Sequence, residues 1–396
     1  MRLVSCEVCV VGAGPAGSLT AKTAAEGGAH TILLEEHPVP GRPVFCAEGL
    51  SLNGIKDAGI EPKVPYIAQQ INRARVYAPN KNYIDLTSKN WVGYTLNRDY
   101  FDRQLAENAA LSGAELMTGT KALGIYREDG LISGVIAERN REKFKVKAKV
   151  VVGADGYWSI IRRSAGLGRW YSDVVSCAQY KLGELSLEDH NTNEFWMGIK
   201  CAPGGYAWVF PKSQSVANVG LGVRNIHTEP AINYLKRFID LDPRFKGAKV
   251  LRRNGGVTPV SGIIEKITDD HLILVGDAAG ELIPMTGAGI HSGIEAGKLA
   301  GKEAALAVEE GNFSGKRLGV YRKNFEKYWG KRIKDSRKVV EMLDKFNDDD
   351  LNTLAEIITN DEILALTNGQ NVKRTLAKII ARSPVKIMKL MKAYLI

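Results

Sequence analysis

Three groups of residues in this 396-residue chain have types and spacings that can do chemistry. The first is Gly12-x-Gly14-x-x-Gly17, set between an apolar run and an alanine-rich stretch. In that order the glycines permit a tight turn, let a pyrophosphate approach the backbone, and allow close helix–strand contact. The phosphates of a dinucleotide would then face a helix N-terminus, which carries about half a positive charge. Glu35 stands eighteen positions after Gly17, at the end of the next apolar run, where a carboxylate can accept ribose hydroxyls. The second group comes later. The run 151–156 closes on Asp155-Gly156, and the run 274–280 contains Asp277 and leads to Gly287 and Gly289. Asp277 is suited to a hydroxyl of the same ligand, and the glycines to close backbone approach. The third group is Tyr206, Trp208 and Phe210. On a strand these share one face and make an apolar wall.

The elements that must position these groups can be read from hydrophobic periodicity. Residues 4–11 predict a strand, 15–26 a helix and 31–35 a second strand, a βαβ opening. A helix pattern follows from 97, and an apolar run fills 150–152. Residues 174–223 are rich in strand formers and aromatics. Another buried strand falls at 272–275, with a helix to about 307. The chain beyond 317 is helical, with Pro384 breaking its last segment. The fold class is therefore α/β. Residues 1–75, 97–172 and 261–310 form three parts of a nucleotide-binding domain. Residues 76–96 and 173–260 make an inserted antiparallel substrate sheet, and 311–396 a helical, basic end.

With these motifs the chain resembles the FAD-dependent family that includes para-hydroxybenzoate hydroxylase, and within it the geranylgeranyl reductases. The fold implied is a glutathione-reductase-like FAD-binding domain with the inserted sheet. The resemblance implies FAD as cofactor, with Asp277 on a ribityl hydroxyl and Ala16, Arg98, Ala122 and Ile290 also in contact. Geranylgeranyl reductases carry a C-x-x-G after the ribose-binding strand, matched here by Cys46 and Gly49 with Ala47 between them. By resemblance this segment lies beside the flavin ring, where the Cys46 thiol positions an alkene or delivers a proton. Residues 206–211 are similar to the family's Y-x-W-x-F-P segment. The implied activity is saturation of geranylgeranyl chains in archaeal-type membrane phospholipid precursors, by hydride from flavin N5 plus a proton. NAD(P)H and reduced ferredoxin are equally compatible as electron donor. Aromatic hydroxylases and flavin halogenases share the fold and are the alternatives. Halogenases show W-x-W-x-I-P where this chain has Tyr206 and Phe210.

Composition narrows the setting. No run approaches the roughly 20 apolar residues of a membrane span. Five cysteines without framework spacing fit a reducing cytosol, and Cys6 and Cys9 fit core packing. The six histidines show no ligand spacing, so no metal is expected. The net charge is +10, and seven cations from Lys373 to Lys392 face no carboxylate after Asn371. Interleaved with Leu376, Ile379, Ile380, Ile387, Met388 and Met391, they suggest peripheral contact with an anionic membrane surface at its cytoplasmic side. No nucleic-acid motif is present.

Overall fold

The computed structural model describes residues 1–87, 92–168, 171–227, 229–386 and 388. Its nucleotide-binding layer is a six-stranded sheet. The strand order is Thr268–Asp269, Leu272–Leu274, Val150–Gly153, Val8–Val11, Thr31–Leu34 and Glu115–Met117. All pairings are parallel except that of the two-residue edge strand. Every residue of Val8–Val11 and Val150–Gly153 is buried, as a parallel sheet covered on both faces requires. The strand expected over 4–11 is in fact two. Arg2–Ser5 pairs with Glu142–Lys147 in a separate four-stranded sheet, and the chain changes sheets at Cys6 and Glu7. Cys6 and Cys9 are both buried in the core cluster.

Helix Pro15–Glu26 begins with proline, whose missing N–H costs nothing at that position. It crosses helix Ile290–Glu310 at very short range. A Cβ on Gly297 would lie 2.2 Å from the Ala16 carbonyl oxygen, and one on Gly301 2.4 Å from that of Thr20. The two glycines therefore bring the N-termini of both helices toward Gly12 and Asp277.

The inserted sheet has seven strands: Lys249–Pro259, Val174–Gly183, Ala217–Arg224, Ala207–Pro211, Thr192–Trp196, Arg73–Tyr77 and Tyr83–Thr87. One face packs Ala178, Leu182, Val209 and Leu221 on Leu235 of helix Ala231–Leu241. The other face turns toward the cofactor layer. Strand Gly93–Leu96, expected in this sheet, instead pairs with Gly49–Ser51 and Ile67–Ile71. That small sheet joins the two layers.

The C-terminal helices are fastened to the sheet through Arg224, which is buried. It bonds Asp173 and reaches both carboxylate oxygens of Asp344 at 2.7 Å. Helix Val372–Arg382 turns Val372, Thr375 and Ile379 inward, against Val339 and Phe346 among others. Lys373, Arg374 and Lys378 point outward. The amphipathic character read in the tail is therefore, over this helix, a core contact. Ile387, Lys389, Met391 and Lys392 lie outside the described residues.

The helix crossing yields a test. Gly297→Ala forces the helices apart and should cost about 1–3 kcal/mol, lowering the thermal midpoint. It should also reduce FAD retention, measured by flavin absorbance after desalting. An unchanged midpoint would show that the crossing relaxes freely.

Candidate active site

The glycine turn is built as its spacing implied. Gly12 has φ +100°, and a Cβ there would meet the Ala154 carbonyl oxygen at 2.5 Å. A Cβ on Gly17 would meet the Gly12 carbonyl oxygen at 1.8 Å. Gly14 differs, because nothing lies within 4 Å of its Cβ position. That open side adjoins the first turn of helix Pro15–Glu26, which no side chain caps. Helix Ile290–Glu310 is likewise uncapped by any side chain at Gly289. Ala16 lies between them, with its Cβ 3.2 Å from the Cβ position of Gly276 and 3.6 Å from that of Gly293.

Glu35 is buried. Its Oε2 accepts the Ala13 N–H at 2.9 Å, and its Oε1 accepts the His37 N–H at 2.9 Å. Glu36, the neighbouring acid, is exposed and pairs with Lys121 at 3.5 Å. Ala122 lies on strand Thr120–Glu128, whose first N–H bonds the Glu35 carbonyl. Asp155 is bonded locally. Its Oδ1 accepts the Ser159 hydroxyl at 2.5 Å and its Oδ2 the Ile161 N–H at 3.1 Å. Both oxygens are bonded to the next helix, and its Cα lies 3.2 Å from the Gly12 Cβ position.

Asp277 is the opposite case. Among the described residues its carboxylate has no hydrogen-bond partner, and one oxygen is 3.2 Å from the Gly289 Cβ position. Burial pushes its pKa up, and Arg98 pulls it down. A half-buried acceptor without a donor among the described residues, beside two uncapped helix N-termini and an open glycine, fits a ligand with phosphates and hydroxyls. FAD is such a ligand. Gly287 and Ile290 frame the same loop, with Gly287 at φ +64°.

Cys46 lies where the two layers meet. Its thiol accepts the Glu48 N–H at 3.2 Å. Burial pushes the thiol pKa up, against the pull of Arg98, so the group stays S–H at neutral pH. Its carbonyl accepts Gln179 Nε2 at 3.0 Å, and Gln179 Oε1 accepts Trp208 Nε1 at 2.8 Å. Tyr206, Trp208 and Phe210 share the cofactor-facing side of their strand. The Trp208 ring lies 2.5 Å from the Gly220 Cβ position, and Phe210 lies 3.0 Å from that of Gly49. Tyr206 donates its hydroxyl to the Thr286 carbonyl. The wall is thus also a bracket, in which each ring is fixed by glycine contact or by a polar tip.

Sequence reasoning missed Glu48. It has φ +74°, a conformation unfavourable for glutamate by about 1–3 kcal/mol, and three donors hold its carboxylate there. Oε1 accepts the Arg98 N–H at 2.8 Å. Oε2 accepts Lys212 Nζ at 2.5 Å and Asn218 Nδ2 at 2.7 Å. Asn218 also donates to the Ala47 carbonyl at 3.2 Å. The Arg98 guanidinium forms two 2.6 Å bonds to Asp102 and is largely buried. One signal was available: Lys212 continues the alternation of 206, 208 and 210. Glu281 was also missed. It is fully buried, with Tyr321 donating to one oxygen and the Gly276 N–H to the other. Burial pushes its carboxyl up to about 8.

Residues 7–164 match the FAD dependent oxidoreductase family model, and 173–258 match that of the geranylgeranyl reductase catalytic domain. The chain is 39% identical to digeranylgeranylglycerophospholipid reductase 1 of Methanothermobacter thermautotrophicus, over 98% of each chain. It is 40% identical to a digeranylgeranylglycerophospholipid reductase of Methanothrix thermoacetophila, over 90% of this chain and 92% of that one. A geranylgeranyl bacteriochlorophyll reductase-like structure from Thermoplasma acidophilum superposes with TM-score 0.89 and 34% identity, covering 99% of this chain and 100% of that one. The flavin-dependent brominase Bmp2 superposes with TM-score 0.72 at 18% identity, over 92% and 94%, which shows a shared fold alone.

Glu281 gives a pH test. Its folded-state pKa lies above the ordinary 4.5, so folding takes up a proton between about 4.5 and 8. Its stabilising contribution is present at low pH and is lost as pH rises through that window. Glu281→Gln should flatten the fall in thermal midpoint between about pH 5 and about pH 8. Parallel curves for the two proteins would place the titration elsewhere.

By sequence over nearly its whole length, and by fold, the chain belongs to the digeranylgeranylglycerophospholipid reductase family of FAD-dependent oxidoreductases.

Proposed function

We propose that this chain saturates the double bonds of geranylgeranyl chains on a glycerophospholipid, with Cys46 as the residue that faces the reacting alkene. The observation that carries this reading is the junction at Cys46. There, the segment matched by the geranylgeranyl reductase catalytic domain supplies Gln179 to the backbone of the segment matched by the FAD-dependent model. Bound, reduced FAD supplies a hydride, and the alkene needs one proton to balance it. Gly14, Glu35, Asp277 and the two uncapped helix N-termini would hold the cofactor. A neutral Cys46 thiol suits the proton, or the positioning of the alkene. Tyr206, Trp208 and Phe210 would direct the apolar chain and exclude water. Electrons would enter from NAD(P)H or reduced ferredoxin.

Contact with the membrane is also proposed. Among the described residues no helix is long and apolar enough to cross a membrane. Lys373, Arg374 and Lys378 are exposed on one short helix that turns Val372 and Ile379 inward and leaves Ile380 exposed. That arrangement supports electrostatic contact with an anionic surface rather than insertion, at about 1 kcal/mol per cation. Arg382 and Lys386 contribute less, being bonded to Glu362 and Glu356.

Incubating the purified, reduced protein with digeranylgeranylglyceryl phosphate should add two hydrogens per double bond, read by mass spectrometry. Cys46→Ala should keep its FAD and lose most turnover, and Cys46→Ser should recover part of it if the thiol gives the proton. Wild-type rates in both variants would remove Cys46 from the chemistry, and oxygen consumption coupled to substrate would favour a hydroxylase. Changing Lys373, Arg374 and Lys378 together to Gln should weaken sedimentation with anionic vesicles, most at low salt. Unaltered sedimentation would remove this helix from the membrane contact.

A further inference from the structure

We infer that Lys181 and Arg252 form a recognition site for the phosphate of the substrate headgroup. The inference rests on the reductase reading above and adds where the polar end of the lipid is held. Lys181 and Arg252 are register partners on adjacent antiparallel strands, and both line a recess of about 140 Å³ on the cofactor-facing side. Like charges directly opposite each other on neighbouring strands are destabilising. Among the described residues neither has a carboxylate partner.

The carboxylates lining the recess are engaged elsewhere. Glu48 is held by Lys212, Asn218 and the Arg98 N–H, and Asp99 pairs with Arg42 at 3.2 Å. The two cations thus face an opening with no counter-charge of its own. Asn254 adds a second unmet need in the same recess. Its Nδ2 donates to the Val44 carbonyl at 2.9 Å, while its buried Oδ1 has no donor. A phosphate supplies the anion, and a headgroup hydroxyl or ammonium supplies the donor.

The position suits a headgroup. Lys181 is two residues from Gln179, so the cation lies roughly 7 Å along the strand from the amide that bonds the Cys46 carbonyl. A chain leaving the recess along this face runs toward Cys46 and the aromatic side chains. A phosphate ester could also belong to a nicotinamide nucleotide, so the test separates the two sources.

Lys181→Glu places opposite charges on the register pair. In FAD-loaded, full-length protein it should raise the thermal midpoint, because repulsion becomes attraction. With flavin reduced by dithionite, so that no nucleotide takes part, its kcat/KM preference for digeranylgeranylglyceryl phosphate over geranylgeraniol should fall about 10-fold or more. The double variant Lys181→Gln, Arg252→Gln should lose the same preference. Titration of glycerol 1-phosphate onto oxidised holoprotein reads the site without turnover. Saturable binding to wild type, lost in both variants, is the expected result.

An unchanged preference, or no saturable binding, would overturn the site while leaving the reductase reading intact. Absence of wild-type turnover with either lipid would instead overturn the reductase reading. A defect confined to the NADPH dependence of flavin reduction would give the phosphate to the nucleotide and overturn the headgroup assignment.

Discussion

The structure depends on one buried carboxylate. Glu48 sits in a left-handed backbone conformation and accepts hydrogen bonds from three separate parts of the chain. Arg98 belongs to the start of a cofactor-layer helix, while Lys212 and Asn218 belong to the inserted sheet. Removing one partner of such a buried pair costs about 3–5 kcal/mol, because the remaining charge is left without water or counter-ion. The interaction therefore fixes the angle between the two layers and, two residues earlier, the place of the Cys46 thiol. Cys46 inherits its position on both sides: Glu48 donates to its sulfur and Gln179 to its carbonyl oxygen.

That dependence explains which features were legible in the sequence. The Gly12–Gly17 turn, Glu35 and the Tyr206–Trp208–Phe210 face are short-range patterns. Their spacing alone reports a turn or a strand face, and the fold class followed from them. Glu48 and Lys212 are 164 positions apart, and no local pattern links them. The local bonds of Asp155 were hidden for a related reason. An Asp-Gly turn is compatible with ligand contact, and only the neighbouring Ser159 and Ile161 show that both oxygens are engaged. The helix Val372–Arg382 was amphipathic by pattern, yet periodicity does not say whether the apolar side meets a membrane or a core. Here it meets Val339 and Phe346.

A fold shared with a flavin-dependent brominase places the reductase reading on a few side chains rather than on the architecture. The cofactor layer serves either chemistry. In this chain the reading rests on the setting of Cys46: a thiol kept protonated by burial, near glycine-backed aromatics, with the Gln179 amide bonded to its carbonyl. A protonated thiol can donate a proton in a buried setting, where an ionised acid would be costly.

Apolar contact by itself would give a lipid little reason to leave the bilayer. Burying a twenty-carbon chain is worth on the order of 16 kcal/mol relative to water, at ~0.8 kcal/mol per methylene-sized group. The bilayer provides nearly the same, so exchange between membrane and an apolar site is close to neutral. Discrimination must then come from the polar end and from geometry near the reacting carbon. The inserted sheet carries both kinds of group, Trp208 and Phe210 on one strand and, two strands across from Phe210, Lys181 in register with Arg252, neither with a carboxylate partner among the described residues. Charge–phosphate bonds formed in a partly buried recess are stronger than the same contacts in water. The register sets Phe210, Asn218, Lys181 and Arg252 side by side across the sheet, so under the proposed assignment the polar end of the lipid would be held beside the aromatic side chains.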